Sequence, residues 1–132
     1  MRGMKLEEAV IDTNVIVAII VENDINHKKA HEIWKKIDKA HIAMISIIEF
    51  NYFLIKHSLS LSITKELIND EKVEIASTEK EDIIYAISSK IKGYDDFNDM
   101  IILNISRRIG KKLITFDQEL NILYNLGKDV NN

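Results

Sequence analysis

Short β-branched apolar runs alternate with longer amphipathic segments along the chain, and this alternation restricts the possible folds more than any other feature. Four runs have the length and composition of buried strands, in the order EAVID, HIAMI, KVEIAS and KKLITF. Strands separated by helices predict an α/β domain. We expect a three-layer sandwich in which a central, mainly parallel twisted sheet of about four to five strands is flanked by helices.

Helical periodicity fills the stretches between these strands, and Gly93 and Gly110 stand where two of the helices should stop. The tail from residue 128 onwards should be frayed. The predicted helices cover residues 14–23, 26–40, 46–58, 61–71, 79–93, 95–110 and 117–127.

Composition indicates a single domain over residues 1–132, because 46% hydrophobic residues can form a core and no Pro marks a linker. Cys is also absent, which excludes disulfides and thiolate zinc sites. No signal pattern opens the sequence, and the longest apolar run, Val15–Val21, is too short for a membrane span. We therefore expect a cytoplasmic protein without a membrane partner. The net charge of −3 gives no bulk attraction for nucleic acid.

Four acidic residues occupy equivalent places in this predicted architecture, because each stands at the start of a helix. Three of these helices directly follow a strand. In a parallel sheet that position is the carboxyl edge, where α/β domains bind their ligands. The four residues are Asp12, Glu49, Asp99 and Asp117.

Helix capping is the alternative explanation for each acid taken singly. The first and fourth acids have the positions of N-caps, and Glu49 with Ser46 forms the S-x-x-E capping-box signature. Near the third acid, Asp96 or Asn98 could be the cap, and the acid itself would then only favour the helix dipole.

A shared environment distinguishes the four acids from ordinary caps. Glu49 lies between Ile48 and Phe50, and Asp99 precedes the apolar run Met100–Leu103. No Lys or Arg lies in the same turns, and burying several unpaired carboxylates together is costly. A hard divalent cation with oxygen ligands relieves this repulsion, so the pattern indicates a metal site.

Four segments, VIDTNVIVAII, SIIEF, FNDMIILNISRRIG and LITFDQEL, resemble the PIN domain in order and spacing. The most similar subgroup is the VapC-type ribonuclease toxins of prokaryotic toxin–antitoxin modules. The likeness covers nearly the whole chain, and the ordered set is more specific than the opening D-T-N alone. By this resemblance the catalytic and metal-binding acids are Asp12, Glu49, Asp99 and Asp117, and the supporting small polar residues are Thr13, Asn14 and Thr115.

The resemblance implies an enzyme that binds Mg²⁺ or Mn²⁺ and hydrolyses RNA to leave a 5′-phosphate. It also implies a homodimer and a cognate antitoxin whose tail blocks the site. Asp95 and Asp96 are rivals for the third position, but Asp99 is preferred because family members follow this acid with an apolar helix. The sequence ends soon after Asp117, so a closing strand often seen in relatives should be short or missing.

Three further features are typical of structural roles. His27 and His31 have the spacing of a metal-binding pair but lack a third ligand, which favours a solvated helix face. The basic segment Arg107–Lys112 suits a helix C-terminus, with contact to RNA phosphates or an acidic partner as the alternative. The segment Tyr52–Leu54 suits the core or a dimer contact, with a base-binding or antitoxin groove as the alternative.

Two other classes of protein compete with the nuclease. A receiver-like phospho-signalling domain would need paired acids after the first strand and a Lys after the last. This sequence has a single Asp12 at the first position and Phe116 followed by Asp117 at the second. A PIN-fold module that binds RNA or antitoxin with weak or lost cleavage is the other alternative, and the complete set of acids opposes it.

Overall fold

A computed structural model describes residues 7–130, with the backbone alone at residues 94–95 and 127–130. The predicted alternation is confirmed, because a pair of helices follows each of the first three strands. The elements are β1 (Glu7–Ile11), α1 (Thr13–Ile20), α2 (His27–Lys36), β2 (Ile37–Ala43), α3 (Met44–Lys56), α4 (Ser62–Asn69), β3 (Val73–Ala76), α5 (Lys80–Ile87), α6 (Tyr94–Ile109), β4 (Lys112–Ile114) and α7 (Gln118–Val130).

The four described strands form one fully parallel sheet in the order β3-β2-β1-β4. β1 lies inside the sheet, and its residues Ala9, Val10 and Ile11 are fully buried, as the unbroken apolar run predicts. The chain adds strands on one side of β1 and then returns to place β4 on the other side. The crevice between β1 and β4 is therefore the topological switch point, where parallel sheets bind ligands.

Helices cover both faces of the sheet, which confirms the three-layer sandwich. α1 to α4 pack on one face in a core that includes Ile42, Phe50 and Leu54. α5 to α7 pack on the other face around Ile102 and Leu113. Of the segment Tyr52–Leu54, only Leu54 is fully buried, while the Tyr52 side chain is 68% exposed.

The boundary between α2 and β2 differs from the prediction. The helix ends at Lys36, and residues 37–40, which were predicted to be helical, belong to the strand. No Gly or Pro marks this stop, because pairing with β1 determines it: Ile37 pairs with Glu7 and Ala40 with Ala9. The long-range pairing overrides a helical pattern that local sequence supports.

Two glycines predicted to end helices have different roles. α5 already ends at Ile87, because the hydroxyls of Ser88 and Ser89 donate to carbonyls one turn earlier and compete with the helical backbone. Gly93 therefore ends no helix and instead precedes α6 as its N-cap. Gly110 ends α6 with φ +69°, in the left-handed region, as predicted.

The C-terminal helix α7 continues past the predicted stop at Gly127 to Val130. Residues 131–132 of the predicted frayed tail lie outside the described residues. No helix in the described range of 7–130 is long and apolar enough to cross a membrane.

The two histidines of α2 contact backbone carbonyl oxygens at the C-terminal end of α1. His27 Nδ1 lies 2.7 Å from the Ala18 carbonyl oxygen, and His31 Nε2 lies 3.2 Å from that of Ile19. The last carbonyls of a helix lack partners within it, so these rings cap α1 from outside. The expected solvated helix face is confirmed for His31, which is exposed, whereas His27 is half-buried.

Candidate metal and active site

The predicted acids come from both sides of the switch point. Asp12 directly follows β1, and Asp117 follows β4 after two intervening residues. Glu49 and Asp99 lie in the second turns of α3 and α6, one turn further into the helices than predicted. The Asp12 backbone N–H donates to the Ile114 carbonyl at 3.0 Å, which joins the ends of β1 and β4.

Asp12 caps the N-terminus of α1 and also makes a hydrogen bond across the crevice. Its Oδ1 accepts the Thr13 backbone N–H at 2.8 Å, so the capping interpretation holds for that oxygen. Its Oδ2 accepts the Thr115 hydroxyl at 2.6 Å across the crevice, and the residue is only 5% exposed. The Asp12 carboxylate therefore both caps α1 and joins the end of β1 to the residue that follows β4.

Glu49 is held from two sides. Its Oε1 accepts the Thr13 hydroxyl at 2.7 Å, and its Oε2 accepts the Asn98 side-chain amide at 3.1 Å. The alternative capping box does not form, because Ala43 is the N-cap of α3 and makes no side-chain capping bond. The buried Ser46 hydroxyl has no hydrogen-bond partner among the described residues.

Thr115 organises the β4 side of the site. Its hydroxyl donates to Asp12 and accepts the Asn14 side-chain amide at 3.1 Å and the Asp117 backbone N–H at 3.0 Å. Asn14 also accepts the Phe116 backbone N–H at 3.1 Å. The structure thus brings the three expected supporting residues into contact with the acids or with one another.

Asp117 also caps a helix while facing the site. Its Oδ1 accepts the Leu120 backbone N–H at 2.9 Å at the start of α7. The Asp117 charge contributes to raising the pKa of both Asp12 and Asp99. Capping and membership of the acidic cluster therefore coexist in this residue.

Asp99 has a strongly perturbed ionisation. Burial, followed by the negative charges of Asp12, Asp117 and Glu49, raises the pKa of Asp99 to about 7, with a smaller contribution from Asp96. Its carboxylate has no hydrogen bond or ion pair with the described residues. An acid in this state needs either a proton or a cation.

The pKa of Asp12 is raised, as that of Asp99 is. Burial raises the pKa of Asp12, with further contributions from the charges of Glu49 and Asp117, while hydrogen bonds from Thr115 and Thr13 oppose the shift. Among the described residues, none of the four acids forms an ion pair with Lys, Arg or His. The four carboxylates are thus electrostatically coupled without internal neutralisation.

Asp95 and Asp96 were the alternatives to Asp99 as the third acid of the site. Asp96 accepts the Lys92 backbone N–H at 3.1 Å and so fixes the connection before α6. The Asp95 side chain lies outside the described residues. Asn98, which sequence reasoning considered only as a helix cap, is 5% exposed and donates to Glu49. The position of the Asn98 amide directly before Asp99, inside an apolar helix, is the sequence signal that could have identified this role.

The donor set suits a hard divalent ion. It consists of four carboxylates, and that of Asp99 has no partner within the described part of the chain. No three His, Asp or Glu groups with described side chains already stand in an arrangement that could hold a metal ion. Both oxygens of Asp12 and of Glu49 are engaged by neighbouring donors. Metal binding would therefore require these side chains to move closer to a common point.

Replacing Asp99 should stabilise the metal-free protein at alkaline pH. Because the pKa of Asp99 is higher in the folded chain than the ordinary value of 3.8, folding favours its protonated form. The resulting penalty grows as pH rises from about 4 towards 7 and is complete above 7. We expect Asp99→Asn to raise the free energy of unfolding at pH 8 by about 1–2 kcal/mol, after allowing for solvent screening.

Urea denaturation in EDTA at pH 8 and pH 4 measures this effect. The gain should be much smaller at pH 4, where Asp99 is protonated in the folded chain and about half protonated in the unfolded chain, whose ordinary pKa is 3.8. Asp38→Asn, which removes an exposed charge from β2, is the matched control. An Asp99→Asn protein no more stable than wild type at pH 8 would contradict the electrostatic description.

The basic segment Arg107–Lys112 lies away from these acids and is engaged internally. Its two arginines occupy the last turn of α6, where the helix dipole favours them. Each of its four cationic groups has a partner, which leaves contact with RNA phosphates unsupported. The pairs are Arg107 with Tyr85, Arg108 with Asp82, Lys111 with Glu8, and Lys112 with Glu7.

The fold and the site together define a class of α/β domains that gather carboxylates at the switch point of a parallel sheet. The sequence profile of the PIN domain family matches residues 9–126. The chain belongs to the PIN domain family. A search of curated protein sequences gave no match.

Solved structures of similar fold include three toxin–antitoxin proteins. VapC20 of Mycobacterium tuberculosis, a sarcin-ricin-loop-cleaving toxin, has a TM-score of 0.75 at 15% identity and covers 87% of this chain and 94% of its own. A toxin–antitoxin complex from Klebsiella pneumoniae has a TM-score of 0.63 at 20% identity, with 83% and 86% covered. VapBC2 of Rickettsia felis, bound to promoter DNA, has a TM-score of 0.60 at 18% identity, with 86% and 91% covered. At these identities the likeness establishes the fold.

Proposed function

We propose that this chain is a divalent-metal-dependent endoribonuclease that hydrolyses RNA phosphodiester bonds as the toxin of a toxin–antitoxin pair. The observation that carries the proposal is Asp99, a half-buried carboxylate with no partner in the described part of the chain. Its pKa is raised to about 7 by burial and the charges of Asp12, Asp117 and Glu49. Mg²⁺ or Mn²⁺ would neutralise this cluster.

Each acid has a specific part in the proposed chemistry. Asp12 and Asp99 would hold the cation, Glu49 would complete its ligand set or accept a proton, and Asp117 would hold a second ion or a water near the leaving oxygen. When bound, such an ion would supply Lewis-acid stabilisation of the phosphate and would lower the pKa of the attacking water. The supporting residues Thr13, Asn14 and Thr115 keep the acids oriented through the hydrogen bonds described above.

Family membership and the neighbours support the nuclease over the alternatives. One solved neighbour is named as a sarcin-ricin-loop-cleaving toxin. A receiver-like domain gains no support from the comparisons. A binding module with lost cleavage would not need to keep an acid as unfavourable as Asp99 at the switch point.

The proposal includes two protein partners. Two of the solved neighbours contain an antitoxin, which supports a cognate antitoxin for this chain. A homodimer is supported by an apolar stripe on the outer face of α3, since large exposed apolar surfaces mark interfaces. The exposed side chains of this stripe are Met44, Ile48, Tyr52 and Ile55. We further propose that residues 1–132 act as one domain in the cytoplasm.

Metal removal and replacement test the proposed function. The purified protein should cleave RNA in Mg²⁺ or Mn²⁺, lose cleavage in EDTA and recover it when excess Mn²⁺ is added, because the acids require the cation. Denaturing gels measure cleavage, and phosphate-dependent 5′-exonuclease digestion detects 5′-phosphate ends. Cleavage that continues undiminished in EDTA would overturn the metal-dependent mechanism.

A further inference from the structure

A cleft of about 510 Å³ opens beside the acidic cluster and shares Asp99 with it. Its walls come from α5, the connection between α5 and α6, α6 itself and α7. Its volume lies within the range of about 300–1,000 Å³ that is typical of small-ligand sites. The lining includes Tyr85, Lys90, Lys92, Asp99, Met100 and Leu123, and we call this space the Tyr85 cleft.

The aromatic wall of the Tyr85 cleft is fixed from behind. The Tyr85 hydroxyl accepts a hydrogen bond from Arg107 Nη1 at 3.0 Å, and the Arg107 guanidinium carbon lies 5.9 Å from the ring centroid. Arg107 Nη2 also donates to the Leu123 carbonyl at 3.0 Å. One arginine thus joins α5, α6 and α7. The ring is therefore held in place before any ligand arrives, which reduces the ordering cost of binding.

Two cations of the Tyr85 cleft remain available to a ligand. The side chains of Lys90 and Lys92 are exposed, and neither forms an ion pair with a residue whose side chain the structure describes. This contrasts with the segment Arg107–Lys112, whose charges are all engaged. The hydrogen bond from the Lys92 backbone to Asp96 fixes the connection that carries both lysines. These two lysines therefore place positive charge in the cleft that contains Asp99.

Acids also line the cleft, and they restrict its occupant. Asp99 belongs to the proposed metal cluster, and Asp96 is engaged by the Lys92 backbone. Glu119 is exposed and can accept a hydrogen bond from a ligand N–H. A nucleotide combines the required features: an aromatic ring, N–H donors and a phosphate for the lysines. An acidic side chain would satisfy the lysines but, unlike a nucleotide, would offer no ring to pack against Tyr85.

We infer that the Tyr85 cleft binds the nucleotide adjacent to the scissile phosphate of a single-stranded RNA substrate. The base packs against Tyr85 and the apolar floor at Met100, and the phosphate lies near Lys90 and Lys92. This inference rests on the proposed nuclease function, since Asp99 connects the two sites. The cleft then selects which base flanks the cleaved bond.

RNA binding by cleft variants tests this inference. All variants are made in an Asp12→Asn background so that the probes, fluorescein-labelled short RNAs of A, C, G or U, are not cut. Tyr85→Ala should weaken binding roughly tenfold, the value of one stacked base, while Tyr85→Phe keeps the ring and should stay within about twofold. Fluorescence anisotropy measures affinity, and circular dichroism establishes that each variant is folded.

A lysine pair provides an independent test that does not disturb packing. Lys90→Ala with Lys92→Ala should weaken binding and lower the slope of log affinity against log salt by about one to two. Lys35→Ala with Lys36→Ala, which removes equal charge from the last turn of α2, should leave affinity and slope unchanged. A 4-thiouridine RNA should cross-link to peptides that line the Tyr85 cleft.

The outcomes separate this inference from the proposed function. If the wild-type protein neither binds nor cleaves RNA, the proposed nuclease function is itself excluded. A wild-type protein that cleaves RNA, while both lysine variants bind and cross-link alike, would overturn only the assignment of the cleft. Variants that lose a protein partner but keep RNA affinity would also overturn it, since a peptide would then be the occupant.

Discussion

We expect the Asp12→Asn protein to cleave RNA at least about 10³-fold more slowly than wild type in saturating Mg²⁺, because metal stabilisation of the transition state is worth several kcal/mol. The substitution preserves the shape of the side chain. The Asn oxygen can still accept the Thr13 backbone N–H and cap α1. Its amide would face the Thr115 hydroxyl, which already accepts two other donors. The variant should therefore fold, but it should lack one carboxylate ligand for the proposed cation.

Initial rates on a labelled RNA measure this loss, and isothermal titration with Mn²⁺ measures the accompanying loss of metal affinity. Asp70→Asn is the matched control, because Asp70 is an exposed turn acid that accepts the Lys72 backbone N–H. Its cleavage rate should equal that of wild type. Full activity of folded Asp12→Asn would show that the acidic cluster does not carry the reaction.

The largest expected effect on stability comes from Arg108→Ala. Asp82 is fully buried, and Arg108 donates to both its oxygens, from Nε at 3.2 Å and from Nη2 at 3.0 Å. Burial opposes ionisation of Asp82, but hydrogen bonds from Arg108, the Glu79 backbone and Asn104 outweigh it and lower its pKa. Removing the arginine leaves a buried carboxylate without its cation, a defect that costs about 3–5 kcal/mol.

Urea denaturation at pH 7 measures this cost, with Lys112→Ala as the control. Lys112 forms a half-exposed ion pair with Glu7, and such pairs contribute about 0–1 kcal/mol. Because the pKa of Asp82 is lowered in the folded chain, the stabilisation is present above its unfolded pKa and is lost as pH falls through the folded value. Similar stability of the two variants would contradict the assigned role of the buried pair.

The strand–helix alternation could be predicted because each element carries its own local pattern. Ala9 to Ile11 already form an apolar run suited to burial on both faces, and Gly110 marks a helix end. The start of β2 could not be predicted, because pairing of Ile37 with Glu7 decides it and leaves no local signal. Sequence reasoning thus located the elements, while tertiary pairing placed some of their ends.

The acids could be located because each follows a recognisable strand or helix start. Their partners could not, since Asn98 and Glu49 are far apart in sequence and meet only when α3 and α6 pack. The role of the basic segment Arg107–Lys112 could not be predicted either, because its partners are also distant in sequence. Lys111 reaches Glu8 across 103 positions, and no local pattern distinguishes this internal ion pair from a free cation.

The pairing of β1 with β4 has a consequence for the order of events during synthesis. The ribosome releases Asp12 early, whereas Thr115 and Asp117 emerge more than a hundred positions later. Since β4 must dock before the Asp12 carboxylate meets the Thr115 hydroxyl, a nascent chain has only half of its acidic crevice. For the proposed nuclease, we therefore expect truncated or stalled translation products to lack hydrolytic activity, so that an unfinished polypeptide would not cleave the RNA around it.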